Sequence, residues 1–377
     1  MGQRSDTDSQ TATPREGVRT DANERASGPL FAGPAPRLLV YCKQTCAGPA
    51  PHDGPIEGSD TGMNQGALTG SQDVPDHLRE LTWKLRSIVG EDNVATDEPM
   101  SRHTTFEVGG PADLFVTPDD VDELREAVEA CKLANTAFFV LGCGSDLLVS
   151  DEGYRGVIIG CTDGLVNVTT DGERIVCQAG VPLREASEMA CELGLTGLEF
   201  ACGIPGSVGG ACFMNAGAYD GCVADVLESV WCLLPDGSLR TFSVDEMNMG
   251  YRKSRVRDEG LVVLSATFRL REGDQDRIRA KMDDFTRRRE EKQPLELPSA
   301  GSTFKRPEGH FAGKLITDAG LKGFCVGGAG VSTKHAGFVV NNGGATAADV
   351  HAVIEHVQDE VERQFGVRLE PEVRFLG

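Results

Sequence analysis

Between Gly197 and Gly221 the chain reads GLEFACGIPGSVGGACFMNAGAYDG, with glycines at 203, 206, 209, 210 and 217. A stretch so poor in side chains suits a place where backbone must come close to something. A second stretch, VLGCGSDLLVSDEGYRG (140–156), sets Gly142, Gly144 and Ser145 directly after an apolar run that reads as a strand. Backbone N–H groups bared by glycine form a nest for an anion such as phosphate. Two such loops together indicate a large planar or dinucleotide ligand held by backbone, although a tight turn explains the second one about as well. Commoner patterns fail. Position 147 is Leu where a dinucleotide fingerprint needs its third Gly, and no Gly-Lys-Ser/Thr of a P-loop follows. Gly206-Ser207-Val208-Gly209 lacks the G-x-S-x-G spacing of a hydrolase nucleophile. Asn215 adds an amide that can both donate and accept.

The rest of the chain frames these loops. Residues 1–75 are rich in Gly, Pro, Ser, Thr, Asp and Ala without apolar periodicity, so they read as a disordered extension. Met63, just before the first helical signal, reads as the biological start with the residues before it dispensable, and Cys42, Cys46 and His52 read as incidental there rather than as a metal site. Leu78, Leu81, Leu85 and Ile88 recur at helical spacing and Gly90 reads as a stop. TFEVGGPADLFVTP predicts strand, turn, strand. PDDVDELREAVEACKLAN predicts a helix with Val121, Leu124, Val128 and Cys131 on one face, and TAFFVLG a buried strand. From Val157 to about Leu270 short strands with tight turns dominate, interrupted by the helix PLREASEMACELGL. A charged helix, QDRIRAKMDDFTRRREEKQ, reads as a connector, and the segment 298–366 ends in the helix ATAADVHAVIEHVQDEVERQFG. The closing VRLEPEVRFLG reads as a strand. Strand–helix–strand order near the start indicates an α/β layer.

Charge and cysteine usage exclude several classes. A formal net charge of −21 argues against general affinity for nucleic acid or anionic membrane, while leaving room for a local basic pocket. No apolar run reaches the length of a membrane span, and no signal-peptide core opens the sequence. The 12 cysteines show no paired metal spacing and no secreted framework, which points to thiols in a reducing cytoplasm. No pattern implies a metal.

PSAGSTFKRP (298–307) places Ser302 after a Gly, where local residue type favours a turn closed by its hydroxyl. Arg252 stands in YRKSRVRDEG, charged throughout, so a surface salt bridge is its plain reading. Glu372 shares a strand face with Glu370 and reads locally as an exposed strand residue. His335 in STKHAG reads equally as a substrate-facing or a satisfied loop histidine. Taken together, however, HTTFEVGGPADLFVTP, LGCGSDLLV, GIPGSVGGACFMNAGAY, GYRKSR, PSAGSTFKRP, VSTKHAGFVVN and LEPEVRFLG resemble, in order and over roughly residues 80–377, the UDP-N-acetylenolpyruvoylglucosamine reductase family. It resembles the shorter form of that family, which lacks a tyrosine-bearing segment, since no Tyr follows Tyr251.

That resemblance implies an α+β, three-domain FAD-binding flavoprotein of the vanillyl-alcohol-oxidase/PCMH type with a C-terminal substrate domain. Its parts would be FAD-binding subdomain 1 (76–156, joined by strand 367–377), subdomain 2 (157–275) and the substrate domain (276–366). It implies cytoplasmic, NADPH-dependent reduction of UDP-N-acetylglucosamine enolpyruvate to UDP-N-acetylmuramate for peptidoglycan. Hydride would pass from the flavin N5 to the vinyl carbon. Ser302 then matches the proton donor, Arg252 the catalytic arginine and Glu372 the catalytic carboxylate. FAD would be held by Gly142, Cys143, Gly144, Ser145, Asp146 and Leu147, and by Gly203, Ile204, Pro205, Gly206, Gly209, Gly210, Asn215 and Gly217. Lys292, Lys305 and Arg306 would contact substrate. Three positions depart from the family: Asp146 and Gly337 each stand where Asn is usual, and Arg306 where some members have Asn. Another FAD-dependent oxidase of hydroxy compounds, or a non-catalytic nucleotide-sugar binder, are the rival readings.

Overall fold

A computed structural model of the protein describes residues 76–377. The expectations for residues 1–75, with Met63, Cys42, Cys46 and His52, lie outside the described residues. Helix α1 (Arg79–Val89) buries Leu81, Leu85 and Val89 with Leu78 at its start, and Gly90 ends it at φ 90°. It packs on α2 (Val121–Leu133), whose first turn is capped by the Asp120 carboxylate accepting from Glu123 N at 2.9 Å. Five strands follow the same stretch: β1 (Val94–Pro99), β2 (Pro111–Val116), β3 (Phe138–Leu141), β4 (Leu147–Val149) and β5 (Tyr154–Gly160). Four form a sheet in the order β1-β2-β5-β3, parallel across β2, β5 and β3. Burial on both faces is why Ala112–Val116 and Gly156–Gly160 read as nearly continuous small and apolar runs. The expected strand at Thr105–Val108 is absent. Its place beside β2 is taken by β1, and the 104–107 stretch turns instead, with Glu107 N bonded to Thr104 O and Glu107 at φ 56°.

The next layer is antiparallel. Strands β6 (Val168–Asp171) and β7 (Arg174–Gln178) form a hairpin around Gly172 at φ 56°. After helices α3 (Leu183–Glu192) and α4 (Val208–Met214) come β8 (Leu227–Leu233), β9 (Leu239–Ser243), the short helix α5 (Arg255–Glu259) and β10 (Val262–Arg269). The sheet order is β9-β8-β10-β7-β6, and its core gathers Ile175, Val208, Val230, Phe242 and Phe268. Helix α6 (Gln275–Lys292) lays Ile278, Met282 and Phe285 against Cys191 and Cys202.

Beyond α6, helix α7 (Ala312–Asp318) and the meander β11 (Cys325–Val326), β12 (Ala329–Val331), β13 (Val339–Asn341) pack beneath α8 (Ala347–Phe365). A capping box of Thr346 and Asp349 starts α8, and the Asp151 carboxylate accepts from Ala347 N at 2.7 Å and Ala348 N at 2.8 Å. This ties α8 to the first layer. The closing strand β14 is only Arg374–Leu376, and it runs parallel to β4 with Arg374 opposite Leu147. Glu372 therefore lies just before the strand, not on it. No helix among the described residues is long and apolar enough to cross a membrane.

Candidate active site

Thr303 organises the site. Fully buried, it donates its N–H to Gly337 O at 2.9 Å, and its Oγ1 accepts from Val339 N at 2.9 Å. Its carbonyl takes the N–H of Glu372 at 2.8 Å, and two residues on Lys305 N reaches Glu370 O at 2.9 Å. The serine motif is thus an extended thread zipped between the stretch before β13 and the stretch before β14. Sequence reasoning passed over Thr303, because a Thr after Ser in a polar loop looks like solvent-facing chemistry. Exchanging it for Val removes the acceptor of a buried N–H, so stability in urea should fall by about 1–3 kcal/mol, whereas Thr303→Ser should recover most of that. A Thr303→Val protein as stable as the parent would show that the zip does not hold the thread.

The thread presents Ser302 outward into a cleft of about 660 Å³ that Arg252 and Glu372 also line. Among the described residues no hydrogen bond of the Ser302 hydroxyl is found. Arg252 Nε donates to Glu372 Oε1, and the two side chains are 19% and 13% exposed. The pair is therefore inside the cleft wall and not a surface salt bridge. Glu370, by contrast, is 68% exposed and pairs with Lys305 at the surface side. Burial pushes the Glu372 carboxyl above its ordinary value, and the Arg252 guanidinium pulls it back.

Arg252 owes its position to a strained turn. Gly250 and Lys253 exchange backbone hydrogen bonds at 3.0 and 3.2 Å, leaving Tyr251 and Arg252 at the tip, with Arg252 at φ 54°. A non-glycine residue there costs on the order of 1 kcal/mol and persists only where its surroundings hold it. Three contacts do so: Asn215 Nδ2 donates to Gly250 O at 3.0 Å, Arg257 donates to Arg252 O at 2.9 Å, and the Ser254 hydroxyl donates to Phe213 O at 2.7 Å. Asn215 Oδ1 meanwhile accepts from Ala224 N at 3.0 Å. One donor and one acceptor of its amide thus help to place the arginine turn, a use that the residue type alone could not reveal.

The two glycine loops come close to each other. A Cβ at Gly142 would lie 2.2 Å from Ser207 Oγ, one at Gly144 2.0 Å from His103 O, and one at Gly206 3.2 Å from Ser145 Oγ. Only glycine permits this close packing of one loop on the other and on the His103 carbonyl, and loops bared of side chains suit a bound dinucleotide diphosphate. Ser207 is buried and caps α4 by accepting from Gly210 N at 3.3 Å, which accounts for the serine without nucleophilic chemistry. Other positions serve packing. Leu147 lies in the core, a Cβ at Gly209 would crowd Ala179, and one at Gly217 would lie 2.7 Å from Gly221 O. Cys143 and Ile204 are half-buried and Pro205 exposed along the loops, and Gly203 lies against the Arg289 side chain.

Asp146 sits between loop and ion pair. Its Oδ2 is out of reach of water and without a hydrogen-bond partner among the described residues, and its carbonyl takes Arg374 N–H at 3.1 Å. Burial first, then repulsion from Glu372, push its carboxyl up to about 8, against the pull of Arg252, Arg374 and Arg257. The folded protein keeps a proton that an unfolded chain, titrating near 3.8, has already lost. The contribution of Asp146 to stability therefore falls as pH rises from about 4 toward 8, on the order of 1 kcal/mol per pH unit, and levels off beyond. Asp146→Asn should flatten that decline in denaturant titrations across the range. An unchanged slope would mean that Asp146 is ionised in the fold.

The cleft lining is basic. Arg306, Lys314, Lys322 and Lys334 line it beside Phe311, His335 and Gly337, with Asp318 the acid among them. Local positive charge thus gathers on a chain of net charge −21. Burial lowers the His335 pKa, and His335 Nδ1 accepts from Gly337 N at 3.1 Å, which marks it as a satisfied, neutral loop histidine. A Cβ at Gly337 would sit 3.0 Å from the His335 ring, so a side chain there would displace it. Of the three sequence candidates for substrate contact, only Arg306 lines the cleft. Lys292 ends α6 exposed outside it, and Lys305 turns to Glu370. Lys314, Lys322 and Lys334 were missed because a lone Lys in a loop or a short helix carries no spacing signal.

Comparison with known proteins agrees with this layout. A family model described as an FAD binding domain matches residues 112–243, spanning both glycine loops. One described as the C-terminal domain of UDP-N-acetylenolpyruvoylglucosamine reductase matches 293–376. A reductase of that name from Clostridium beijerinckii is 53% identical over 80% of this chain and 99% of its own length. One from Clostridium perfringens is 50% identical over 78% and 96%. A crystal structure of UDP-N-acetylenolpyruvylglucosamine reductase from Thermus caldophilus superposes with a TM-score of 0.66 at 37% identity, covering 75% of this chain and 98% of that one. Likeness of this extent, running through both loops and the serine thread, places the chain in the FAD-dependent UDP-N-acetylenolpyruvoylglucosamine reductase family.

Proposed function

We propose that the cleft reduces UDP-N-acetylglucosamine enolpyruvate to UDP-N-acetylmuramate, with NADPH as reductant, Ser302 as proton donor and the Arg252–Glu372 pair as the carboxylate-facing group. The observation that carries this reading is the meeting of Ser302, Arg252 and Glu372 in one cleft whose lining is also basic. FAD, when bound, supplies the hydride. The loops at 142–146 and 203–210 would hold it, and residues 76–156, 157–275 and 276–366 would form two cofactor-binding subdomains and a substrate domain.

Each residue then has a task. Hydride addition to the distal vinyl carbon leaves negative charge on the carbon next to the carboxylate. Arg252 offers a rigid fork of donors to that carboxylate, and preorganised charge of this kind is usually the largest catalytic contribution. Glu372 holds the fork in place. The carbanion-like centre is so basic that a positioned hydroxyl serves as acid, so Ser302 needs no partner base. Arg306 and the cleft lysines meet the diphosphate. Nucleotide sugars and NADPH are both cytoplasmic, which is where the reading puts the protein.

Anaerobic absorbance of the FAD-loaded protein tests the proposal. NADPH should bleach the flavin band and UDP-N-acetylglucosamine enolpyruvate should restore it. A band that bleaches and stays bleached after substrate addition would remove the proposed substrate.

A further inference from the structure

Resting on the proposed part of Ser302 as proton donor, we propose that Asn341 is a positioning residue, with Asp151 as a second pin. Together they fasten the serine thread to the cofactor-binding layer before substrate enters. Asn341 ends β13, is only 7% exposed and does not line the cleft. Its N–H donates to Pro298 O at 2.9 Å, where the serine motif begins. Its Nδ2 donates to Phe106 O at 3.1 Å, in the turn before β2. Its Oδ1 accepts from Gly343 N at 2.9 Å and Ala345 N at 3.2 Å, on the way into α8. One residue thus joins thread, cofactor layer and helix. The Phe106 turn is itself fixed to the first glycine loop, because Thr105 N donates to Gly144 O at 3.1 Å. A continuous path therefore runs from Gly144 through Phe106 and Asn341 to Pro298 and the serine.

Asp151 acts from the far end of β4. It follows Ser150, whose N–H donates to Leu376 O at 2.8 Å and whose carbonyl accepts from Gly110 N at 2.8 Å. A Cβ at Gly110 would lie 2.1 Å from Asp151 O, so neighbouring backbone packs directly on this turn. From that fixed point the carboxylate takes the Ala347 and Ala348 N–H groups, which α8 cannot satisfy internally. Helix α8 in turn buries Val350, Val353, Ile354 and Val357 in a core that also holds Val339 and, from the first layer, Phe106, Val108 and Leu148. A core shared across that boundary holds the substrate domain in place, and the two pins set its orientation. Val339 N donates to Thr303 Oγ1, so a tilt of α8 reaches the residue next to Ser302.

The test uses FAD-loaded enzyme with NADPH and UDP-N-acetylglucosamine enolpyruvate, and UDP-N-acetylmuramate as a product ligand. Asn341→Asp keeps an acceptor for Gly343 and Ala345 and removes the donor to Phe106 O. Asp151→Ala removes an exposed carboxylate, so the fold is not at risk, and it decides by the same readouts should Asn341→Asp fail to fold. Flavin reoxidation at saturating substrate should fall about 10- to 100-fold in Asn341→Asp, the cost of a slightly misplaced reacting group, and by less in Asp151→Ala. Flavin reduction by NADPH and FAD content should not move in either. Asp151→Asn should recover most of the rate, since its amide oxygen still accepts. Hydrogen exchange resolved to single amides should quicken in both variants at Val339 and Glu372, the two residues that donate to Thr303. In the parent, exchange at Ala347 and Ala348 should be the same with and without UDP-N-acetylmuramate. Unchanged reoxidation, with faster exchange confined to each pin's own contacts, makes the pins purely structural and overturns the proposal. So does equal slowing of both half-reactions, or protection of Ala347 and Ala348 that appears only with ligand. A parent flavin that the substrate does not reoxidise overturns the reading of Ser302, and this proposal with it.

Discussion

Ser302→Ala enzyme should be bleached by NADPH at the rate of the parent, yet recover its flavin band on substrate addition about 10²- to 10⁴-fold more slowly, the usual cost of a lost general acid. The split follows from where the hydroxyl sits. It faces the cleft, makes no hydrogen bond within the described residues, and belongs to a thread that Thr303 holds through both backbone and side chain. Removing one oxygen should therefore leave the thread in place, with stability changed by less than about 0.5 kcal/mol. Rapid-mixing absorbance separates the two halves. Equal slowing of both would mean that Ser302 shapes the site and transfers no proton.

Arg252→Lys gives the second large effect. The substitution keeps a positive charge and tolerates the φ of 54° about as well as arginine, so the turn at Gly250–Lys253 should survive. An ammonium cannot span both Glu372 and a substrate carboxylate with fixed parallel donors. Substrate turnover should fall about 10²- to 10³-fold while FAD content stays constant. Glu372→Gln should cost nearly as much, because it frees the guanidinium from the direction that Glu372 imposes. The double variant should be little worse than the poorer single one, since the two residues act as a unit. Full additivity of the two losses would argue that they work independently.

Helices and motif order were legible because they repeat: Leu78, Leu81 and Leu85 at helical spacing, although the last buried position is Val89 rather than the expected Ile88, or seven signatures in series. Ser302, Arg252 and Glu372 were found through that series, and not through local chemistry, which favoured a turn, a salt bridge and an exposed strand. Legibility ended where a residue's task depends on a partner far away in the chain. Asn215 read as a ligand-facing amide, and nothing in its residue type told that it also braces Gly250. Glu107 at φ 56° broke an apparent strand whose apolar alternation was real, since Phe106 and Val108 are buried in another core. Lys334 is held by Glu290, the C-terminal end of a helix that pattern alone described only as charged.

The pairing of Arg374–Leu376 with Leu147–Val149 also orders events in time. Synthesis delivers the cofactor loops long before Glu372 emerges, so a nascent chain can shape its cofactor cradle while half of the ion pair is still unmade. Arg252 waits during that interval on its strained turn without its carboxylate. Such a distant closure slows folding, and it makes competence for reduction a late acquisition. Ribosome-stalled chains halted before residue 372 should bind FAD yet fail to turn over substrate, with turnover appearing only once β14 has zipped onto β4.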